Sequence, residues 1–474
     1  MSASEAAVSS NTNTGKAFGT TGYRNYVLIS LTLLYTLNFI DRVLISILAQ
    51  PIIDEFQLLD WQFGLLSGFG FALMYTLVGI PIARLAEKYN RVRIIAASVI
   101  LWSVMTALCG FAGGFLSLLA FRVGVGIGEA GLTPPANSII ADYFPPRSRA
   151  KAMGTYAMGV TLGGVFAAAF GGPIADMFDW RTAFIVLGVP GVLIGLVFWV
   201  SVKEPPRGYS DPPGTEKKES TGIVETFKML SKKRTFWLNT AAAALVAFVG
   251  YGISAFQVAY FQRAFEMTLS EAAFQIQVPA GLAASFGIFA AGYLTEKLTP
   301  RWKNALVMIP GIGLVLSVPF YVIAFSSENV PLAVFMLIIG AALHYTYLGA
   351  QYTVGQGIAD ARSRATAIAI LLFIVNIIGY GLGPLFVGAL SDIMISSQLS
   401  ASSFGAELSS DMCKGARELL TANLGAEKAE TCLDANAGGL GQSLVITAIL
   451  YGICGLIYMA ASRTLHKDLV AKMD

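Results

Sequence analysis

The stretch KEPPRGYSDPPGTEKKESTG, residues 203–222, separates two long apolar parts of the chain. It is rich in proline, glycine and charge, which is typical of a linker. Residues 24–202 and 236–464 flank the linker region 203–235. Each part contains six apolar runs of roughly 20 or more residues, the length that crosses a bilayer as an α-helix. The sequence therefore predicts twelve membrane-spanning helices in two halves.

The composition supports this prediction. Of the 474 residues, 55% are hydrophobic and only 13% are charged, and the mean hydropathy is +0.65, which excludes an ordinary soluble protein. The apolar runs lack the alternation of barrel strands, so the expected fold class is an all-α membrane protein. Numbered in chain order, the predicted helices are 24–50, 61–83, 92–113, 115–140, 150–172, 181–202, 236–262, 271–295, 303–325, 331–358, 364–389 and 441–464.

The distribution of Lys and Arg predicts the orientation. Most of the 32 basic residues lie in the segments on the side of both chain ends, and two of them, Arg42 and Arg122, lie inside predicted helices. The positive-inside rule therefore places the tails 1–23 and 465–474 in the cytoplasm. The compact connections and the lack of an external N-x-[ST] site favour a bacterial inner membrane. The net charge of +3 reflects this bias, so no nucleic-acid partner is expected.

The two halves repeat short motifs in the same order, which indicates an internal duplication and two pseudo-symmetric six-helix bundles. The matching pairs are ARLAEKYNRVR (83–93) with GYLTEKLTPRW (292–302), IADYFPPRSRA (140–150) with IADARSRA (358–365), and GGP ending at Pro173 with GLGP ending at Pro384.

Twelve helices in two halves, a basic loop after helix 2 and these repeats resemble the major facilitator superfamily over essentially the whole chain. Its loop signature is G-x-L-A-D-R-x-G-R-R. In this chain Ala83 replaces the first Gly, Glu87 the Asp, Lys88 the Arg and Asn90 the second Gly. The resemblance implies the major facilitator fold, transport by alternating access and no cofactor. Charged residues at the helix ends are expected to change ion-pair partners between states: Glu87, Lys88, Arg91, Arg93, Asp142, Arg149, Glu296, Lys297 and Arg301. The alternative for Arg91 and Arg93 is simple positive-inside topology.

A narrower resemblance is to the Spinster family within that superfamily. It rests on NFIDR (38–42), FRVGVGIGEAGLTPPANSIIADYFPPRSRA (121–150) and VKEPPRG (202–208). Spinster proteins are known as transporters of lysophospholipids and sphingosine-1-phosphate, and the animal members are thought to be proton-linked. The resemblance implies an amphiphilic anionic lipid as substrate, with protons and the bilayer as the other partners.

Four charged residues lie inside the predicted helices 1 and 4, where an unpaired charge costs about 2.5 kcal/mol or more. Asp41, Arg42 and Arg122 are expected at similar depth, and Glu129 lies two turns from Arg122 on the same face, about 10 Å along the axis. The sequence therefore predicts pairing between helices 1 and 4. Glu129, with Asp41, is the predicted proton site, and Arg42 and Arg122 are predicted to bind an anionic headgroup. The alternative is a permanent structural salt bridge.

The second half lacks such charges. Helix 10 carries His344, Tyr347 and Gln351, and helix 11 carries Asn376. These polar groups are candidates for substrate contact, and His344 titrates near neutral pH when unperturbed. The alternatives are a hydrogen-bonded structural histidine and ordinary core packing of the other side chains.

Two cysteines, Cys413 and Cys432, share the long external segment 391–440. A disulfide is chemically permitted outside the cytoplasm, and two free thiols are the alternative.

The predicted function is proton-coupled transport of an amphiphilic anionic lipid by a monomer. The alternatives are a proton-coupled carrier of small soluble organic anions and, from another class, a channel or receptor without coupled transport. An enzyme is not expected, because the chain has two histidines, no H-E-x-x-H motif and no metal-ligand cluster.

Overall fold

A computed structural model describes residues 17–210, 222–360, 363–405 and 407–470. Within these residues, twelve helices are long and apolar enough to cross a membrane, which confirms the predicted number. From here, helices 1 to 12 denote Thr21–Ile47, Asp60–Lys88, Arg91–Cys109, Phe115–Tyr143, Pro146–Met177, Trp180–Ser201, Arg234–Phe265, Leu269–Leu298, Ala305–Ser326, Val330–Gly357, Thr366–Ala401 and Ala426–Ala461. An even number of spans puts both chain ends on one face, which we call the terminal face, and we call the opposite face distal.

Helices 11 and 12 extend further than their apolar runs suggest. Helix 11 continues to Ala401 and helix 12 begins at Ala426, and the short helix Arg417–Leu424 lies between them. The extra turns bury a small apolar cluster that includes Leu399 and Leu420. Hydropathy marks the part of a helix that lies in hydrocarbon and does not report its polar continuation, so much of segment 391–440 is helical.

Four of the helices within the described residues contain a π-helical segment, and all four pack across the two halves. Helix 2 packs on helix 11, and helix 5 packs on helix 8. Three of the segments are followed closely by a proline, which lacks the N–H of a regular helical turn. The segments are Leu65–Phe69 in helix 2, Ala167–Gly171 in helix 5, Ala273–Gln277 in helix 8 and Val375–Gly381 in helix 11. They occupy equivalent places in the two halves, as the duplication predicts.

Glycine permits the close crossing of helices 2 and 11. A Cβ at Gly64 would lie 2.4 Å from the carbonyl oxygen of Pro384, and a Cβ at Gly388 would lie 2.2 Å from that of Asp60. Any side chain at these positions would force the two helices apart.

At the distal face a layer of polar side chains joins the halves. The Arg263 guanidinium at the end of helix 7 donates to both oxygens of Asp60 at 2.7 and 2.8 Å and to Gln50 Oε1 at 2.7 Å. Ser391 Oγ also donates to Asp60, at 2.6 Å. The Asp392 carboxylate accepts from the Asp60 backbone N–H at 3.0 Å at the start of helix 2. We call these five residues the distal layer.

The two halves are joined distally and separate toward the terminal face. Outside the distal layer, the hydrogen bonds between the halves within the described ranges join Asp176 to Ser270 at the distal ends of helices 5 and 8, and Thr161 to Ser285 near mid-depth. We call the region between the two halves on the terminal side of these contacts the cleft; the distal layer closes it on the distal side.

A disulfide between Cys413 and Cys432 ties the distal connection to helix 12, with a Cα–Cα distance of 5.1 Å. Arg417 in this connection pairs with Glu266, and at 2.6 Å with Glu430. The connection forms one wall of a cavity of about 400 Å³ over the distal layer.

The disulfide predicts a specific thiol count. Cys109 and Cys454 are free and buried, so alkylation of the denatured, unreduced protein should modify two of the four cysteines, and prior reduction should expose all of them. The measurement is intact mass after alkylation. Cys413→Ser should give three reactive thiols without reduction, and four reactive thiols in the unreduced wild type would contradict the bridge.

Asp54, in the short helix Ala49–Phe56 beside the distal layer, makes closure of the distal side depend on pH. Gln50 Nε2 donates to Asp54 Oδ1 at 2.9 Å. Burial raises the pKa of the Asp54 carboxyl to about 6, against the opposing effects of Arg263 and the Gln50 hydrogen bond; Asp60 and Glu418 add to the increase. When the halves separate distally, water reaches this carboxyl and its pKa falls toward the ordinary value of about 3.9. Distal closure is therefore favoured in acid, and this contribution is lost as the pH rises through about 6.

We expect Asp54→Asn to weaken this response between about pH 4 and pH 7, because Asn keeps the hydrogen-bond acceptor and cannot titrate, whereas the Asp392 carboxylate of the distal layer remains. Spin labels at Met177→Cys and Leu419→Cys, which are 74% and 37% exposed, would report the distance across the distal face. In the wild type the closed population should fall as the pH rises. Asp434→Asn, on the exposed part of helix 12, is the matched control, and a wild-type pH response in Asp54→Asn would refute the assignment.

Candidate functional site

Helix 4 is broken at Glu129. Its first segment, Phe115–Glu129, ends there, and the second, Thr133–Tyr143, begins with two prolines in its first turn. Proline is tolerated in a first turn and cannot continue an existing helix, so the T-P-P sequence explains the break. The last residue of the first segment is thus held at the middle of the span.

Arg42 of helix 1 meets Glu129 across the two helices. Arg42 Nε lies 2.6 Å from Glu129 Oε2. The Glu129 side chain is fully buried, whereas that of Arg42 is 16% exposed, so the cation is the partner that reaches the cleft. The sequence predicted pairing between these helices, and this is the pair that the structure contains.

Three aromatic rings surround the Arg42 guanidinium, and we call them the aromatic cage. The guanidinium carbon lies 4.5 Å from the ring centre of Tyr75, 5.1 Å from that of Phe71 and 5.2 Å from that of Phe39. A cation over aromatic faces gains electrostatic attraction that strengthens when water is excluded. The cage therefore stabilises a charge that its single carboxylate partner only partly neutralises.

Arg122 and Asp41 lie deeper, inside the first half. Arg122 has no exposed surface and Asp41 is 3% exposed. Arg122 Nη1 donates to the backbone oxygen of Asp41 at 3.4 Å, and its guanidinium carbon lies 5.4 Å from the ring of Phe71. Phe71 thus contacts both arginines. In this conformation Arg122 is fully buried and does not reach the cleft, so direct substrate binding by Arg122 does not apply to this state.

The candidates of the second half are buried within that half. His344 Nδ1 and the Tyr321 hydroxyl are 2.7 Å apart, and His344 lines a cavity of about 70 Å³ together with Tyr451 and Gln257. Three of the predicted contacts are therefore core groups here, with exposures of 5% for His344, 8% for Tyr347 and 2% for Gln351. Asn376 is half-buried in the π-helical segment of helix 11.

Helix 10 is broken at the position equivalent to the break in helix 4. Its segments are Val330–His344 and Tyr347–Gly357. His344 ends the first segment as Glu129 does in helix 4. The two halves therefore share the backbone arrangement and differ in its chemistry, since one break carries a carboxylate and the other a hydrogen-bonded imidazole.

The charged residues of the terminal face fall into two groups. Arg91 is fully buried and links three connections of the first half: its guanidinium lies 2.5 Å from Asp142 and 2.6 Å from Glu204. Arg149 donates to the backbone oxygen of Ala141 at 2.7 Å. These contacts hold the first half together. The second group is exposed and forms no ion pair with the residues that the structure describes: Glu87, Lys88, Arg93, Glu296, Lys297 and Arg301.

Sequence reasoning missed the aromatic cage and the distal layer. Phe71 and Tyr75 are one helical turn apart with stacked rings 5.6 Å between centres, a spacing that also occurs in ordinary cores. Asp60 and Arg263 stand at helix ends, where charge is common. A carboxylate at the start of one span and an arginine at the end of another were the available signal for a contact between the halves.

Comparison with known proteins agrees with this architecture. The family model described as Major Facilitator Superfamily matches residues 31–395. The chain is 45% identical to a bacterial homologue of the human lysosomal transporter Spinster, solved in an inward-facing and unoccupied conformation; the TM-score is 0.88, over 96% of this chain and 100% of that one.

Two curated relatives are also similar. An MFS-type efflux pump of Mycolicibacterium smegmatis is 32% identical over 80% of this chain and 86% of its own length. Protein spinster of Drosophila melanogaster is 27% identical over 76% of this chain and 60% of its own length. The named homologues are transporters and not enzymes, which also argues against a channel or receptor. The chain belongs to the Major Facilitator Superfamily and, within it, is a Spinster-type secondary transporter.

Proposed function

We propose that the protein couples proton movement to transport of an amphiphilic anionic lipid, a lysophospholipid or a sphingoid phosphate. The observation that carries the proposal is the Arg42–Glu129 pair: a buried carboxylate 2.6 Å from a cation that reaches the cleft. One group can hold or release a proton, and the other can bind an anion.

The coupling is a competition for Arg42. Ionised Glu129 holds the guanidinium by a charge-assisted hydrogen bond. Protonation of Glu129 removes that attraction, so Arg42 can bind a phosphate with its planar donors. Loss of the proton restores the pair and expels the anion. Asp41, close to Arg122 and Glu129, is the second carboxyl that shares the proton in this proposal, and Arg122 positions it.

The surroundings of Arg42 favour an amphiphile. A headgroup that binds the guanidinium also contacts the aromatic cage. The ring of Tyr380 packs edge-on against Phe71 of the cage, 5.2 Å between ring centres, and Tyr251, which is 39% exposed, lies 4.6 Å from Tyr380. Apolar ring surface beside a single cation suits a ligand with a charged end and a hydrocarbon chain. A small polyhydroxylated anion would leave this surface unmatched.

Orientation follows from the basic residues. We propose that the terminal face is cytoplasmic, as the positive-inside rule predicts, in a bacterial inner membrane. The distal layer then closes the external side, and the cleft opens inward. The functional unit in this proposal is a monomer, because each chain contains both halves and the complete pair.

A carrier of small soluble organic anions is the second candidate. Arg42, as a partly exposed cation with one carboxylate partner, would bind any carboxylate or phosphate. Competition between a lysophospholipid and a short organic acid in the same liposomes separates the two candidates.

Glu129→Gln should abolish stimulation by a pH gradient, because the amide neither ionises nor releases Arg42 in response to protons. Uptake of a lysophospholipid into proteoliposomes, with and without an imposed gradient, measures this. Glu55→Gln is the control: Glu55 also pairs with an arginine, Arg181, at 2.5 Å, but at the distal face, and its coupling should match the wild type. Gradient-driven accumulation by Glu129→Gln at the wild-type level would remove the assigned role.

Arg42→Lys should weaken binding of the anionic lipid about tenfold, or about 1.4 kcal/mol, because Lys keeps the charge and loses the planar contact with the cage. Arg122→Lys should lower the melting temperature and leave affinity close to wild type, because Arg122 is enclosed. Tryptophan-quenching titration and thermal unfolding measure the two effects. A larger loss of affinity in Arg122→Lys than in Arg42→Lys would reverse the assignment.

A further inference from the structure

A short helix, Ile223–Ser231, precedes helix 7 on the terminal face. It packs on helix 7 and on the terminal end of helix 11. Thr226 and Leu230, one turn apart, are buried against them with exposures of 1% and 0%. This side of the helix is therefore fixed to the second half.

The other side exposes large apolar side chains. Val224 is 68% exposed and Phe227 is 47% exposed. The Phe227 ring packs edge-on against Trp237, 5.7 Å between centres, and the Trp237 indole N–H donates to the Leu230 backbone oxygen at 3.1 Å. Trp237 lies about one turn inside helix 7, where tryptophan commonly marks the membrane interface. The exposed apolar side chains are thus at the level of the bilayer surface.

Basic side chains adjoin this apolar surface. Lys228, Lys232 and Arg234 are exposed and form no ion pair with the described part of the chain. Lys233 is half-buried and donates to the Asp468 backbone oxygen at 3.2 Å. One carboxylate, Glu225, lies in the same segment. The net positive charge beside apolar side chains matches a surface that presents negative charge over hydrocarbon.

We propose that residues 223–234 form a docking site for anionic phospholipid headgroups. Phosphate groups lie against the three exposed cations, and Val224 and Phe227 enter the boundary between headgroups and acyl chains. Amphipathic helices bind membranes by this combination of apolar burial and attraction to anionic lipid. The bound lipid holds the second half at the point where the linker joins it. The site is independent of the transported substrate.

Membrane depth tests the proposal directly. A nitroxide on Val224→Cys reports depth through its collisions with oxygen. The native cysteines do not compete for the label, because Cys109 and Cys454 are buried and the others are bridged. The labelled full-length protein is placed in nanodiscs of phosphatidylcholine, with or without phosphatidylglycerol. Oxygen accessibility should rise when phosphatidylglycerol is present and fall again at high salt.

Substitution separates this site from the general charge of the terminal face. Lys228→Gln, Lys232→Gln and Arg234→Gln together should abolish the response to phosphatidylglycerol. The matched control removes three other exposed cations of that face, in the first half: Arg84→Gln, Arg147→Gln and Lys151→Gln together should leave the response intact.

Three results would overturn the proposal. The first is equal depth in the two lipid compositions, and the second is equal loss of the response in both triple variants. The third is abolition of the response by free inorganic phosphate at constant ionic strength, which would identify a site for the soluble ion. The measurement requires no transport, so it stands or falls separately from the proposed function.

Discussion

The pair of Arg42 and Glu129 is the interaction around which the first half is built. An ion in hydrocarbon is tolerated only where protein or water replaces its hydration. Here neighbouring helices replace the hydration of both ions. The break in helix 4 places the carboxylate at mid-depth, and helix 2 supplies two of the three rings of the cage. Phe71 contacts both Arg42 and Arg122, so two cations share one ring and a change at either alters the packing of both.

The joined distal side depends on a different balance. Helices 2 and 11 approach so closely at Gly64 and Gly388 that backbone meets backbone, and Asp60 and Arg263 form a two-point ion pair beside the crossing. Close packing stabilises the contact only while the charges remain paired, because a separated buried pair leaves each ion poorly solvated. Separation of the halves therefore requires water to enter this layer. The π-helical segments lie in helices 2, 5, 8 and 11, which all pack across the two halves. The relaxed hydrogen-bond pattern of a π-helical segment lets a long helix bend without losing its turns.

Hydropathy, the repeated motifs and the proline-rich linker were sufficient to predict the twelve helices, because each depends on local composition. The charged residues inside the predicted helices were sufficient to predict pairing between helices 1 and 4, since a buried charge needs a partner and few were available. The identity of the pair depended on rotation about helix 1: Asp41 and Arg42 are adjacent, and one turns inward while the other faces the cleft. No periodicity in the sequence predicts which of the two residues faces the cleft. The aromatic cage and the distal layer bring together residues that are distant in sequence. The charges of Asp60 and Arg263 at helix ends were a signal for the distal layer, but a single sequence does not specify which residues meet.

Under the proposed function, the duplication explains how the two halves contribute differently to the binding of an amphiphile. Both retain a broken helix at equivalent places, ending its first segment at Glu129 in one half and at His344 in the other. In the second half the imidazole is buried and engaged by the Tyr321 hydroxyl among aromatic rings, including Tyr451 at 4.9 Å, so in this conformation the break in helix 10 brings no charged side chain to the cleft. Under the proposed mechanism, a proton that reaches the first half changes the charge seen by a headgroup, while the charge of the opposite wall of the cleft does not change. Under the proposed mechanism this asymmetry lets one protonation event alter the affinity for the anionic end without disturbing the contacts of the hydrocarbon chain.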